Sequence, residues 1–151
     1  METDNKYEAL KLENQLCFPL YACSRKIVNR YTPILKRWGL TYTQYLTFLV
    51  LWQGDGIPVG DLCRKLYLDS GTLTPLLKNL EKAGYVVRKR WKEDERVVHV
   101  FLTEAGWALR DEMAAMPACE SGVLPVGRED AGTLYRLLYR ILEPDSDIRA
   151  E

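Results

Sequence analysis

The sequence lacks the features by which membrane and secreted proteins are recognised. Its longest apolar stretch, residues 46–52, is interrupted by Thr47 and is far shorter than the roughly 20 apolar residues of a membrane-spanning helix. Charged residues lie close to both termini, and no segment resembles a signal peptide. We therefore expect a cytoplasmic protein that has no membrane partner.

Metal ligands are equally sparse. His99 is the one histidine, and the four cysteines include no CxxC pair, so their spacing gives little support for a zinc site. Because lasting disulfides are rare in a reducing cytosol, we expect thiols that are free, catalytic or sensing at Cys17, Cys23, Cys63 and Cys119. We expect neither a metal nor a cofactor.

The net charge is zero, so no excess of one sign covers the surface. Basic residues are nevertheless concentrated between Lys78 and Arg96, where seven of them accompany four acidic residues. Such a segment suits a polyanionic partner, and a solvated hairpin is the simpler alternative. At 151 residues, the chain is long enough for one compact domain and too short for two ordinary ones.

Apolar spacing and capping residues predict a mainly helical chain. The first helix runs over about residues 7–37, with Pro19 in a first turn or at a kink and Pro33 loosening the end. A capping box opens the second helix at Thr41, and this helix continues to about Gln53.

The later elements are indicated by their capping residues and by a change from helical to strand periodicity of the apolar residues. Pro58 suits a first helical turn, Asp69 or Ser70 caps a helix, and Thr103 caps another. Two β-branched runs separated by a charged loop predict a hairpin. The predicted elements are helices at residues 59–66, 70–82, 104–116 and about 128–142, and strands at residues 85–91 and 97–102.

This order places a helix-turn-helix, residues 59–82, directly before a charged hairpin. The sequence therefore predicts a mainly α fold with a small β-hairpin, the winged helix-turn-helix. We expect a single domain over residues 1–151, with a DNA-binding lobe at about 41–102 and dimerisation helices at about 7–37 and 103–143. The terminal helices carry more apolar positions than so small a domain can cover, which indicates a homodimer. A two-fold dimer suits a palindromic operator in double-stranded DNA.

The predicted recognition helix and wing carry the candidate DNA contacts. Hydroxyl side chains at the start of the fourth helix can approach phosphates or base edges, and a lysine follows one turn later. Arg96 is expected to enter an adjacent minor groove while Asp94 holds its guanidinium in place, and neighbouring basic residues neutralise phosphates. The predicted DNA-binding residues are Ser70, Thr72, Thr74, Lys78, Lys89, Arg90, Lys92, Asp94 and Arg96.

Four segments carry a family resemblance. They are LDSGTLTPLLK at residues 68–78, RKR and EDER within residues 88–96, LENQLCF at residues 12–18 and LTYTQYL at residues 40–46. Together they resemble the MarR family of transcriptional regulators and, within it, the organic-hydroperoxide-sensing OhrR-type branch. The resemblance implies a repressor whose reduced dimer binds its operator and is released when an organic hydroperoxide oxidises Cys17.

The resemblance also implies roles for residues around Cys17. Taken alone, a cysteine flanked by apolar residues is typical of a protein core. In the OhrR-type branch the matching cysteine reacts with peroxide, and tyrosines matching Tyr31 and Tyr42 hydrogen-bond its sulfur across the dimer interface. Tyr21, one turn beyond Cys17, lines the same pocket or serves packing. Pro19 departs from the aliphatic residue of the branch, which bears on the shape of the pocket.

Two fates of the oxidised sulfur occur in this branch. One is capture by a small cellular thiol, and the other is a disulfide with a cysteine of the second subunit near the connection between the fifth and sixth helices. Cys119 lies in that connection, so the resemblance favours an intersubunit disulfide between Cys17 and Cys119. The small-thiol adduct stays open.

Two other functions stay open from the sequence. In one, the same fold releases its operator when a small aromatic molecule binds, which the tyrosine and tryptophan content permits. In the other, the chain is a thiol peroxidase with Cys17 as the reacting thiol and Cys119 as the resolving one. No thioredoxin-like βαβ pattern is present, and we therefore do not expect an enzyme.

Overall fold

A computed structural model describes residues 7–91, 94, 96–115 and 125–143. The chain divides into two compact units, Met1–Pro117 and Ala118–Glu151. The predictions made for Lys92 and Cys119 lie outside the described residues, as does the predicted end of the fifth helix at Met116.

Six α-helices and three strands make up the regular structure of the described residues. The first unit holds α1 (Cys17–Leu35), α2 (Tyr42–Leu51), β1 (Ile57–Pro58), α3 (Val59–Leu66), α4 (Ser70–Lys82), β2 (Val86–Arg90), β3 (Val98–Leu102) and α5 (Glu104–Ala114); the second holds α6 (Arg128–Leu142). Short 3-10 turns lie at Glu8–Leu10 and Leu12–Asn14 before α1 and at Lys36–Trp38 after it. The predicted order of helices around a hairpin is confirmed.

The predicted start of the first helix is wrong. The α-helix begins at Cys17 and not at Tyr7, and the residues before it form single 3-10 turns. The reason is Pro19, which lacks a backbone donor and whose ring would clash with the carbonyl of Gln15 in a longer helix. Starting at Cys17 puts Pro19 in the first turn, where no intrahelical donor is required.

The predicted caps open three of the helices. The Thr41 side chain accepts the backbone N–H of Gln44, whose own side chain accepts the Thr41 N–H, and this closes the capping box of α2. Asp69 caps α4 by accepting the backbone N–H of Thr72 at 2.7 Å. Thr103 caps α5 in the same way. Each cap satisfies donors that a helix start leaves free, so the local sequence determines where these helices begin.

The sheet has one strand more than the predicted hairpin. Its order is β1-β3-β2, all antiparallel, so β2 lies at an edge. In the hairpin, Lys89 pairs with His99 and Arg88 with Val100. Ile57 and Pro58 form β1, and two residues are too few to give a periodic signal in a sequence.

The core of the first unit lies between α2, α3, α4, α5 and the sheet. Its side chains are almost wholly buried and come from every one of these elements, including Phe48, Leu51, Leu62, Leu73, Leu77, Leu80, Val86, Val100, Leu109 and Met113. From α1 only Leu35 is buried, and Leu12 and Leu16 before it are exposed. Within its own unit α6 buries no residue.

No helix among the described residues combines the length and the apolar character that crossing a bilayer requires.

One close approach fixes α5 against the sheet. Gly106 is buried, and a methyl group there would overlap the carbonyl oxygen of Tyr85 and lie 3.0 Å from the Leu102 side chain. The indole Nε1 of Trp52 also donates to the Gly106 carbonyl at 3.0 Å. Glycine is therefore required at this position because the two backbones nearly touch.

We expect Gly106→Ala to lower the free energy of unfolding by about 1–3 kcal/mol, since it overpacks a rigid contact. Gly60→Ala is the matched control, because a methyl group at Gly60 in α3 meets nothing within 4 Å. The control is expected to be neutral or to stabilise by about 0.5–1 kcal/mol through helix propensity. Urea unfolding of both variants measures the difference, and equal midpoints would contradict the packing argument.

Candidate functional site

The predicted recognition helix, α4, presents one face to solvent. Leu73, Leu77 and Leu80 are buried, whereas Lys78 is exposed. Ser70 is exposed at the start of this helix. The geometry is that of a helix packed by its apolar stripe and open on the opposite side, as groove binding requires.

Thr72 is held by the helix cap. Its hydroxyl donates to Asp69 at 3.1 Å, in addition to the backbone bond, and these bonds hold the pKa of Asp69 below its usual range. With its proton engaged, the Thr72 oxygen remains available as an acceptor. Thr72 therefore serves the cap and stays on the outer face at the same time.

Glu81 joins the recognition helix to the wing. Its carboxylate accepts the backbone N–H of Arg88 at 2.9 Å, the guanidinium Nη2 at 2.7 Å and Nε at 3.1 Å. Hydrogen bonds from Arg88 hold the pKa of Glu81 below its usual range. Arg88 is thus neutralised within the protein, and α4 and β2 are linked by a charged contact that the sequence did not reveal.

The groove between the helix-turn-helix and the wing brings two predicted DNA contacts together. It has a volume of about 540 Å³ and is lined by Thr74 from α4 and by Arg88 and Arg96 from the wing. Thr74 is half-buried, whereas Arg96 is exposed.

Asp94 was predicted to hold the guanidinium of Arg96, but the structure shows a different contact. The Asp94 carboxylate accepts the backbone N–H of Arg96 at 3.1 Å, and its carbonyl accepts the N–H of Val97 at 3.1 Å. A short acidic side chain reaches its own backbone two residues on more readily than it reaches a long guanidinium. Asp94 therefore shapes the turn that carries Arg96.

The remaining predicted wing cations project from β2. Lys89 and Arg90 are both exposed, and as neighbours in a strand they point to opposite faces. The Lys89 ammonium lies 5.6 Å from the ring centre of Phe101, and Trp91 packs on His99 at 4.9 Å. The Phe101 ring thus packs against Lys89, and neither of these contacts across strands was predicted from the sequence.

Cys17 is the first residue of α1 and is exposed, as are the flanking Leu16 (73%) and Phe18 (44%). A cysteine with apolar neighbours is expected to be buried in the core of its own chain. Cys17 is not buried there. The positive end of a helix dipole favours an anion at such a position. Tyr21, one turn further along, is also exposed, and the Arg25 guanidinium lies 5.6 Å from its ring centre.

Three tyrosines cluster where α1 meets α2. The rings of Tyr31 and Tyr42 are 5.0 Å apart, and Tyr45 lies 5.7 Å from Tyr31 and 6.2 Å from Tyr42. Burial, and secondly the neighbouring Tyr31, raise the pKa of Tyr42. A phenol with a raised pKa stays protonated and remains a hydrogen-bond donor.

The thiol and the tyrosines of one chain are far apart. Tyr31 follows Cys17 by fourteen residues on the same helix, which corresponds to about 21 Å of helical rise. Only a second chain can therefore bring a tyrosine of this cluster to the sulfur of Cys17.

The other described cysteines offer no comparable setting. Cys23 is exposed on α1, and Cys63 is half-buried against the core. Within the described ranges, no group of three histidine, cysteine or acidic side chains is placed to hold a metal ion.

Comparison with known proteins extends over most of the chain. A family model described as Transcriptional regulator SarA/Rot matches residues 29–113. The organic hydroperoxide resistance transcriptional regulator of Bacillus subtilis is 45% identical over 140 residues, which cover 93% of this chain and 95% of that protein.

Solved structures of AbfR, a protein of Staphylococcus epidermidis, are also similar. Reduced AbfR bound to DNA has a TM-score of 0.77 at 34% identity, covering 93% of this chain and 97% of that one. Disulfide-formed AbfR has a TM-score of 0.64 at 36% identity, covering 94% and 100%. The fold, the exposed face of α4 and this degree of identity together show that the chain belongs to the OhrR-type branch of the MarR family of DNA-binding transcriptional regulators.

Proposed function

We propose that this regulator is a thiol-based repressor whose reduced homodimer binds a palindromic operator and leaves it when an organic hydroperoxide oxidises Cys17. The observation that carries the proposal is the setting of Cys17, an exposed thiol at the first residue of a 19-residue helix. Reactive cysteines occupy such accessible, electropositive positions, whereas structural ones are buried. Relatives with reduced, DNA-bound and disulfide forms support the same role.

The chemistry begins with the thiolate of Cys17. Its sulfur attacks the terminal oxygen of the hydroperoxide, so that an S–O bond forms, the O–O bond breaks and the alkoxide takes up a proton and leaves as an alcohol. The sulfur loses two electrons and becomes a sulfenic acid. Exposed apolar side chains at Leu16 and Phe18 favour an oxidant with an organic group over hydrogen peroxide.

A second thiol then resolves the sulfenic acid. The thiol of Cys119 from the partner subunit attacks the Cys17 sulfur, an S–S bond forms and water leaves. This step rests on the position of Cys119 in the sequence, between α5 and α6. Reduction of the disulfide by a dithiol returns the protein to its DNA-binding state.

The phenols of Tyr31 and Tyr42 act on the thiol of the other subunit. Because about 21 Å of helix separates Tyr31 from Cys17 in one chain, the sensor is complete only in a dimer. A protonated phenol donates to the thiolate and then to the sulfenate oxygen. Exposed apolar residues on α6, such as Leu137 and Ile141, fit the same expectation of a second copy.

DNA binding uses α4 and the wing. The outer face of α4 enters the major groove, with Ser70, Thr72 and Thr74 at its start and Lys78 one turn on. Arg96 enters the minor groove from the turn that Asp94 shapes. The remaining wing cations, Lys89, Arg90 and Lys92, neutralise phosphates.

The first prediction concerns the sensor itself. We expect one equivalent of cumene hydroperoxide to release the wild type from its operator and to leave Cys17→Ser bound, since the serine forms no sulfenic acid. Cys23→Ser is the matched control, because Cys23 is an exposed thiol on the same helix, and this variant should be released normally. A titration of labelled operator measures release. Equal release of Cys17→Ser and wild type would exclude Cys17 as the sensor.

The second prediction tests the arrangement across subunits. A mixed dimer is made of one Cys17→Ser chain and one chain that keeps Cys17 but carries Tyr31→Phe and Tyr42→Phe. Its one Cys17 is expected to be oxidised at the wild-type rate, since the other chain supplies intact phenols. In the mixed dimer with all three changes on one chain, oxidation should be slower by about tenfold or more. The reverse order of rates would place thiol and phenols in one chain.

The third prediction concerns the wing. We expect Arg96→Ala to weaken operator affinity by about 10- to 100-fold, as loss of a specific groove contact does. Arg110→Ala removes an exposed charge from α5, outside the recognition helix and the wing, and is expected to have little effect. Fluorescence anisotropy at two salt concentrations measures both variants. An Arg96→Ala protein with wild-type affinity would remove this residue from the interface.

A further inference from the structure

Tyr45 contacts both tyrosines that the proposed sensor uses. Its ring is stacked on Tyr31, with an interplanar angle of 28° at 5.7 Å, and tilted against Tyr42, with an angle of 46° at 6.2 Å. Since Tyr31 and Tyr42 are themselves 5.0 Å apart, the three rings form a closed triangle. Tyr45 is the most buried member, at 6% exposed, and the other two are half-buried.

We propose that Tyr45 is a positioning residue of the thiol sensor, whose buried ring sets the direction in which Tyr31 and Tyr42 present their phenols to Cys17 of the partner subunit. The proposal rests on the function proposed above and extends it to a residue that reaches no oxidant itself. In the sequence, Tyr45 stands out only as a member of the LTYTQYL segment, with no role of its own.

The local sequence places Tyr45 where it can serve this purpose. The Thr41 capping box fixes the start of α2, so that Tyr42 is its first residue and Tyr45 its fourth. Residues three apart lie on one face of a helix, and both rings therefore point toward α1. Tyr31 comes from the other helix and rests on the ring of Tyr45. The Tyr45 ring therefore holds the phenols of Tyr31, on α1, and Tyr42, on α2, in fixed positions relative to each other.

Orientation matters because the phenols act through hydrogen bonds. Such a bond weakens steeply when the donor is misaligned, so a phenol that can swing away stabilises a thiolate poorly. A tyrosine half-exposed at a helix surface has two rotatable angles, and a flat, immobile neighbour removes most of that freedom. The raised pKa of Tyr42 agrees with a packed, water-poor setting in which the phenol remains a donor.

The alternative is a purely structural role for Tyr45. A substitution at Phe48 distinguishes the positioning role from the structural one. Phe48 lies three residues further along α2 and is fully buried. Its ring packs on Trp52 at 5.3 Å and on Tyr85 at 5.7 Å, on the side of the DNA-binding lobe. Loss of either ring costs packing in the core, but only loss of the Tyr45 ring frees the two phenols.

The experiment compares Tyr45→Leu, Tyr45→Met, Tyr45→Phe and Phe48→Leu in the full-length dimer. Two quantities are measured: the rate of Cys17 oxidation by cumene hydroperoxide, and the pH dependence of Cys17 alkylation by iodoacetamide. Operator affinity of the reduced protein and the thermal midpoint are recorded alongside. Tyr45→Met decides the outcome if Tyr45→Leu does not fold, because the flexible methionine side chain fills irregular space.

We expect Tyr45→Leu and Tyr45→Met to slow oxidation by about tenfold or more, since misplaced groups lose much of their effect on a reacting centre. Their alkylation curves should shift to higher pH, because the thiolate loses hydrogen bonds. Tyr45→Phe keeps the ring and should react within about twofold of wild type. Phe48→Leu should lower the thermal midpoint and leave both thiol measurements unchanged. All four variants should bind the operator when reduced.

A wild-type oxidation rate in Tyr45→Met, or equal slowing by Phe48→Leu, would overturn the positioning role. Failure of the proposed function gives a different result: peroxide then releases Cys17→Ser from the operator as readily as it releases the wild type. In that case both the proposed function and the positioning role are wrong.

Discussion

Burial of α2 is the constraint on which the rest of the structure depends. Phe48 and Leu51 are completely buried, and the buried Thr47 satisfies its hydroxyl by donating to the Thr43 carbonyl at 3.0 Å. The helix therefore has no freedom to slide or rotate without opening the core. Its first turn carries Tyr42 into the tyrosine cluster, and the remainder supports the DNA-binding lobe. Ten residues thus connect the tyrosine cluster with the core that supports α4.

Three polar contacts join neighbouring elements of the first unit. Glu81 links α4 to β2, Asp55 accepts the backbone N–H of Leu102 at 2.8 Å, and Trp52 donates to the carbonyl of Gly106. Partly buried contacts of this kind resist displacement because a broken bond leaves an unsatisfied group. We therefore expect oxidation of Cys17 to move whole lobes relative to each other, so that the spacing of the two recognition helices changes while each stays intact.

The sequence predicted most of the fold because its local signals agree. The caps at Thr41, Asp69 and Thr103 and the bounds of α4 and α6 follow from side-chain chemistry within a few residues, and the structure confirms them. The signals failed where contacts between elements decide the outcome. β1 exists only by pairing with β3, and Glu81 meets Arg88 only because β2 packs against α4.

The candidate site was predicted less completely for the same reason. The roles of Cys17, Tyr31 and Tyr42 came from a family resemblance, since spacing along one chain cannot show what a second chain brings. Tyr45 has the helical spacing expected of a core residue, and nothing local to it reveals that its ring touches two phenols. The sequence suggested a charge pair between Asp94 and Arg96, and it gave no sign that the Asp94 carboxylate accepts the backbone N–H of Arg96.

The Glu81 contact has a further consequence for the exposed edge of the sheet. β2 is an edge strand of the described sheet, and an edge strand offers free donors to any other strand that approaches. Glu81 occupies the outward N–H of Arg88 in the middle of that edge. An approaching strand therefore meets a carboxylate where it would need a backbone donor, so the middle of this edge is protected against strand addition.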